Sequence, residues 1–199
     1  MSEIGLFYLG VRILSPTVLA RVQKYSIAAR MVTGRDAVII RQEDLHITII
    51  PPYYCSHEAA VALNRLYLKL QYERDNIIRY LTFSIRQPTL MEFDDEVATY
   101  FEVRTKRGLE IAFQEWVTEQ RQRVTTLDGF SWKKDIPTKV KPHVTADIIK
   151  KEELTQAGRD ALRRVVESAP TSPPVTFQLA CSTICERRGN SWRPIIPRV

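Results

Sequence analysis

The order strand, helix, motif strand, helix appears once in each half of the chain, and each motif strand carries a His-x-Thr tripeptide. Gly5 to Leu14 is rich in β-formers and reads as the first strand. Ser15-Pro16 supplies a helix cap followed by proline at the first helical position. Val18, Leu19, Val22 and Tyr25 follow at helical spacing, with a stop near Gly34. Ala37 to Ile40 reads as a short strand, and Leu45 to Ile50 as the strand bearing His46-Ile47-Thr48. Pro51-Pro52 is expected to end it, because neither proline can donate to a ladder. Ser56 opens a second helix whose apolar stripe is Ala59, Ala62, Leu63, Leu66 and Leu70.

In the second half, Tyr80 to Ile85 and Val97 to Arg104 alternate as strands around a Pro88 to Asp95 loop. Gly108 precedes a helix with Leu109, Ala112, Phe113 and Trp116 on one face. Thr125 to Lys139 reads as an irregular loop, and it leads into Val140 to Ile149, the strand bearing His143-Val144-Thr145. Leu154 to Ser168 is a helix with Ala161, Leu162, Val165 and Val166 inward. Val175 to Cys185 and Trp192 to Ile196 close the chain as two strands across a turn at Arg188-Gly189-Asn190. This order predicts an α+β fold of two similar lobes, in one domain over residues 1–199, and permits the motif strands to lie side by side in a central cleft.

The repeated tripeptide carries chemistry. Residues i and i+2 of a strand share a face, so each motif sets an imidazole beside a hydroxyl. Hydrolysis of a phosphodiester needs a base for the attacking oxygen, an acid for the leaving one, and donors for the non-bridging oxygens. Histidine, with an ordinary pKa of ~6.5, supplies either proton-transfer role near neutrality, and threonine hydroxyls supply neutral hydrogen bonds. A lone His-x-Thr is usually an ordinary pair of strand residues. Its recurrence 97 positions later, again in an apolar strand, argues for a site. His57 is the internal control: it follows Ser56 at a helix start, has no threonine two residues on, and reads as a surface histidine.

The formal charge of +6 suits a polyanionic ligand such as a nucleotide or nucleic acid, although solubility alone could explain it. Cys55, Cys181 and Cys185 are odd in number and contain no CxxC pair, so they read as reduced thiols in a reducing compartment. The apolar run at Ile4 to Leu14 is broken by Gly10 and Arg12 and reads as a strand rather than a signal peptide. No run approaches the ~18 apolar residues of a membrane span. A cytoplasmic monomer that does not enter a membrane is expected.

With LHITII at 45–50 and KPHVTADI at 141–148, the chain resembles the two-histidine (2H) phosphoesterase superfamily, and within it the 2′-5′ RNA ligase-like and cyclic phosphodiesterase branch. The element order carries the resemblance over nearly the whole chain, to a closing hairpin at Gly189 to Trp192. It implies two lobes whose antiparallel sheets form a central concave cleft, with helices packed outside and no metal or cofactor. It also implies His46 and His143 as the acid–base pair and Thr48 and Thr145 as phosphate ligands. The expected substrates are RNA ends, oligonucleotides or cyclic nucleotides carrying 2′,3′-cyclic phosphate or 2′-5′ linkages. The alternatives are degradation of 2′-5′ oligoadenylates or cyclic dinucleotides, or a non-catalytic nucleotide-binding module on the same scaffold.

Substrate contacts are read from neighbourhood. Lys141, two residues before His143, would share its strand face and reach a phosphate, unless it is simply a solvated lysine. Tyr53, Tyr54 and Trp132 flank the motif strands and could stack on a base, although packing is the commoner role of such rings. Trp192 is a further candidate on the family analogy. Arg86, Arg104 and Arg187-Arg188 could add to a basic rim, although charge runs are usually solvated faces. A metal hydrolase is the rival enzyme reading: Asp147 at i+4 from His143 and Asp44 two before His46 could be ligands, but the chain has no recognisable metal motif.

Overall fold

A computed structural model describes residues 3–70, 81–134, 141–169, 173–188 and 191–195. Strand β1 (Ile4–Ile13), helix α1 (Pro16–Val32), strand β2 (His46–Ser56) and helix α2 (His57–Leu70) form the first half with strand β3 (Thr82–Glu92). Strand β4 (Glu96–Thr105), helix α3 (Glu110–Thr125), the short strand β5 (Ser131–Trp132), strand β6 (His143–Lys150), helix α4 (Gln156–Glu167) and strands β7 (Val175–Arg188) and β8 (Ser191–Pro194) form the second. Tyr80, Val140, Ile196, the Cys181 thiol and the Gly189-Asn190 part of the expected turn lie outside the described residues.

The fold is α+β, and every pairing in its sheet is antiparallel. The strand order is β5-β2-β1-β7-β3-β4-β6, with β8 on β7. The predicted repeat is present, with an exchange that the element order did not anticipate. Each half runs strand–helix–strand–helix–strand, and its third strand leaves to join the sheet of the other half. Thus β7 pairs with β1, β3 pairs with β4, and β3 and β7 meet in the middle. The 14-residue β7 serves both half-sheets, with Val175 to Gln178 on β3 and Leu179 to Glu186 on β1.

The interior of each strand is set by alternation. In β1, Phe7, Leu9, Val11 and Ile13 are fully buried, while Tyr8, Gly10 and Arg12 face the other way and line a cavity. One core runs through both halves, with Phe7, Tyr53, Phe83, Phe101 and Phe113 among its largest members. Burying each such side chain contributes about 1.5–3 kcal/mol. Helix α1 starts where Ser15 Oγ accepts from Val18 N–H, and it buries Val18, Val22, Tyr25 and Ala29 along one stripe. Gly34, at φ +68°, turns the chain at its end.

Four local expectations are corrected. Ala37 to Ile40 is not a strand, because the Gln23 side chain on α1 bonds both Val38 O and Ile40 N–H and takes the place of a ladder partner. Pro51-Pro52 does not end β2. The β1–β2 register slips between Phe7/Leu9, so the prolines sit at an irregularity where no donor is needed. Likewise β3 continues through Pro88, at a register slip between Ile85/Pro88, and the loop shrinks to a tight turn in which Phe93 N–H bonds Glu96 O. The inward face of α2 is Ala60, Leu63, Asn64 and Tyr67, while Ala62 and Leu66 are exposed. Asn64 sets that rotation: its buried amide bonds Ile195 O and Ile184 N–H, an anchoring role that an apolar stripe cannot show.

Candidate active site

The two motif strands are built alike. In β2, Thr48 lies opposite Gly10 and Ile50 opposite Leu9, so Ile49 is an extra, bulged residue. In β6, Thr145 lies opposite Tyr100 and Asp147 opposite Thr99, so Ala146 is the bulged residue. Each bulge follows the motif threonine directly. Bulges of this kind bend a strand and reverse which side chains face the core. Up to the bulge, His and Thr face the groove. Beyond it, Ile50 and Asp147 turn inward.

The rings are held alike too. His46 Nδ1 lies 2.8 Å from Asp44 O, and His143 Nδ1 lies 3.1 Å from Lys141 O. A carbonyl only accepts, so Nδ1 carries the proton in both rings and Nε2 is left to accept or donate at a ligand. A tyrosine from the neighbouring strand then packs on each ring. Tyr8 stacks on His46 with centroids 5.1 Å apart, and Tyr100 meets His143 edge-on at 5.5 Å.

The site opens as two adjoining cavities. One, of about 390 Å³, is lined by His46 with Tyr8, Gly10, Arg12, Cys185 and Trp192. The other, of about 260 Å³, is lined by His143 with Tyr100, Phe93, Asp95, Glu96 and Lys134. Thr48, Thr145 and Ile148 line both, so the two hydroxyls stand at the junction with one imidazole to either side. Burial pulls the His46 pKa below that of an ordinary imidazole, against the upward pull of Asp44, and the nearby His143 and Arg12 add to the depression. Burial likewise pushes the Tyr8 phenol up, so it stays protonated beside Cys185.

The four motif residues are therefore brought together, and Trp192 joins them. Its indole meets Tyr8 edge-on at 4.8 Å, and the Arg187 guanidinium lies 5.6 Å from the indole centroid. The remaining substrate-contact expectations do not hold. Tyr53 is fully buried against Phe7, Phe130 and Trp132, so its ring cannot meet a ligand. Trp132 packs on Tyr53 and Phe130, where β5 joins the edge of β2, and does not line either cavity. Tyr54 is exposed at strand position 54, also away from both cavities. Lys141 precedes the start of β6, and its exposed side chain lines neither cavity; its contribution is the backbone carbonyl that orients His143.

Of the expected basic rim, Arg187 packs on Trp192, which lines the His46-side cavity, and the others turn elsewhere. Arg104 pairs with Glu102 and Arg188 with Glu186, while Arg86 contributes its carbonyl to Arg21. The Ala146 bulge also overturns the placement of Asp147 beside His143. Asp147 is buried on the opposite side, 2.8 Å from both Arg30 and Arg35. Among the described residues, no three His, Cys, Asp or Glu side chains converge as metal ligands. His57, the control, opens α2, bonds Glu186 and lines neither cavity.

Tyr8, Tyr100, Gly10 and Arg12 escaped sequence reasoning, although a signal existed for one of them. Glycine inside an otherwise apolar strand marks close approach of another group. A Cβ at Gly10 would stand 2.9 Å from Tyr8 Cε2 and 3.1 Å from His46 Cδ2. No helix among the described residues is long and apolar enough to cross a membrane. No protein-family model matches the chain, and no curated protein matches it in sequence.

Proposed function

We propose that the protein is a phosphodiesterase of the two-histidine type, acting without a metal on 2′,3′-cyclic phosphate or 2′-5′ phosphodiester bonds in RNA or oligonucleotides. One observation carries this reading: two imidazoles with the same Nδ1–carbonyl bond flank two threonine hydroxyls at the junction of adjoining cavities. Binding alone needs no pair of titratable rings set in the same tautomer. In-line displacement at phosphorus needs one on each side of it.

His46 is the base in this reading, because burial keeps its ring neutral near pH 7. Its Nε2 takes the proton of the attacking oxygen as the new phosphorus–oxygen bond forms. The bond to the leaving ribose oxygen breaks, and His143, as imidazolium, gives that oxygen a proton. Thr48 and Thr145 donate to the non-bridging oxygens, which gain charge on the way to the transition state. Each proton transfer contributes about 10²–10⁴-fold. Trp192 and Tyr8 offer a ring surface to the base next to the scissile phosphate. We place the protein in the cytoplasm, where its buried thiols Cys55 and Cys185 remain reduced.

The test is direct. The protein is incubated with 2′,3′-cyclic nucleotides, 2′-5′ dinucleotides and a cyclic dinucleotide, with and without EDTA, and products are read by mass spectrometry. Turnover of the first or second class, unchanged by EDTA, is expected. Binding without turnover across the panel would leave a nucleotide-binding module in its place, and loss of activity in EDTA would remove the metal-independent mechanism.

A further inference from the structure

The scissile phosphate, on the reading above, sits where Thr48 and Thr145 meet, yet the groove continues past it in both directions. The His46 side has rings for a base, and its carboxylates Glu43 and Asp44 are paired with Arg41. The His143 side is a separate space, and its chemistry differs. Its outer wall is the β3–β4 hairpin, whose Phe93 is 45% exposed and stands beside Met91 and Tyr100. At about 260 Å³ it falls short of the ~300–1,000 Å³ of a drug-sized site, so it takes a fragment of the size of one nucleoside.

Charge narrows the occupant further. Asp95 and Glu96 line this cavity against Lys134, and Asp94 is next in the same turn. Glu96 lies on the groove face of β4, at even spacing with Ala98 and Tyr100, opposite Lys150. A second phosphate here would meet carboxylates at short range and be repelled. A base edge bearing N–H donors would be accepted, because carboxylates pair with amino groups of guanine, adenine or cytosine. Uracil places a carbonyl on either side of its single N–H, and those oxygens oppose a carboxylate.

We infer that the His143-side cavity is a second nucleoside subsite whose Glu96 and Asp95 carboxylates select a base with an amino edge. The preferred substrate then carries a nucleoside on each side of the scissile phosphorus, and the nucleoside in this subsite ends without a further phosphate. This rests on the phosphodiesterase reading and adds a specificity to it.

The experiment uses 2′-5′ dinucleoside monophosphates in two series, XpU and UpX, with X as each of the four bases, together with 2′,3′-cyclic mononucleotides. In one series only, kcat/KM is expected to be at least about tenfold higher for guanine, adenine or cytosine than for uracil, the lower range for a base-specific side-chain pair. The same dinucleotide carrying an extra terminal phosphate on that nucleoside is expected to be the poorer substrate. Glu96→Gln combined with Asp95→Asn is expected to flatten the base ratio and remove the phosphate penalty. Ratios within one variant are insensitive to a general loss of activity. Turnover with a flat base profile in both series, or a preference that survives the double substitution, would overturn the second subsite alone. No turnover of any substrate, cyclic mononucleotides included, would overturn the phosphodiesterase reading and this inference with it.

Discussion

Tyr8 and His46 lie ring on ring, 5.1 Å between centroids and 27° from parallel, across a position where the chain has no side chain. That position is Gly10. A methyl group there would press on both rings at once, at 2.9 Å and 3.1 Å, so one of them must shift.

Gly10→Ala is therefore expected to displace the His46 ring and lower kcat by tenfold or more, with an overpacking cost of about 1–3 kcal/mol. Thermal denaturation and steady-state kinetics separate the two effects. Tyr8→Ala in the same chain should restore part of the lost stability by removing one of the two clashes. Unchanged kinetics in Gly10→Ala would mean that the Tyr8–His46 stack does not hold the ring.

The aromatic residues divide sharply. Trp192→Ala is expected to weaken substrate binding by about 1–3 kcal/mol, read as a rise in KM, if its indole carries a base. Tyr53→Phe is expected to leave kcat/KM unchanged. The Tyr53 hydroxyl is buried with no hydrogen-bond partner among the described residues, so its removal should be neutral or slightly stabilising. An activity defect in Tyr53→Phe, or none in Trp192→Ala, would reverse this division.

Asp147 joins β6 to the end of α1 through two guanidiniums, and its side chain is 3% exposed. Burial pushes its carboxyl up, while Arg35 and Arg30 pull it back. Asp147→Ala leaves two cations without their partner and is expected to destabilise by about 3 kcal/mol in chemical denaturation. A loss below about 1 kcal/mol, the range of exposed pairs, would show that the network does not hold the bulge.

Much of this architecture was legible before folding. Ser15-Pro16 and Ser56 each mark a helix start, and Gly34 marks a stop, because capping is local chemistry. The pairing of His46 with Thr48, and of His143 with Thr145, followed from strand periodicity alone. What the period of two could not show is where it breaks. The bulges at Ile49 and Ala146 arise from register with β1 and β4, and they send Asp147 away from the site. Tyr53 and Trp132 looked like ligand rings by position, but only the three-dimensional packing with Phe7 and Phe130 fixes them as core. The exchange of β3 and β7 between halves was hidden for the same reason: it depends on distant partners.

The depressed His46 pKa has a consequence for pH. Its folded value lies below the unfolded value of ~6.5, so between the two the unfolded chain binds more protons. Its contribution to stability is fully present above the unfolded value and is lost as pH falls through the folded one. Denaturation followed from pH 8 downward should therefore show a destabilising slope below about pH 6.5 that flattens in His46→Gln. The same slope in wild type and variant would assign it to other groups.

The most direct measurement is turnover of a 2′,3′-cyclic nucleotide and a 2′-5′ dinucleotide by the wild type, His46→Ala, His143→Ala and the double variant. Circular dichroism and thermal melts accompany it to verify the fold. Each single substitution is expected to lower kcat by about 10²–10⁴-fold with the fold retained, and the double variant to be little worse than the weaker single one. Near wild-type turnover by either single variant would contradict an acid–base pair at His46 and His143.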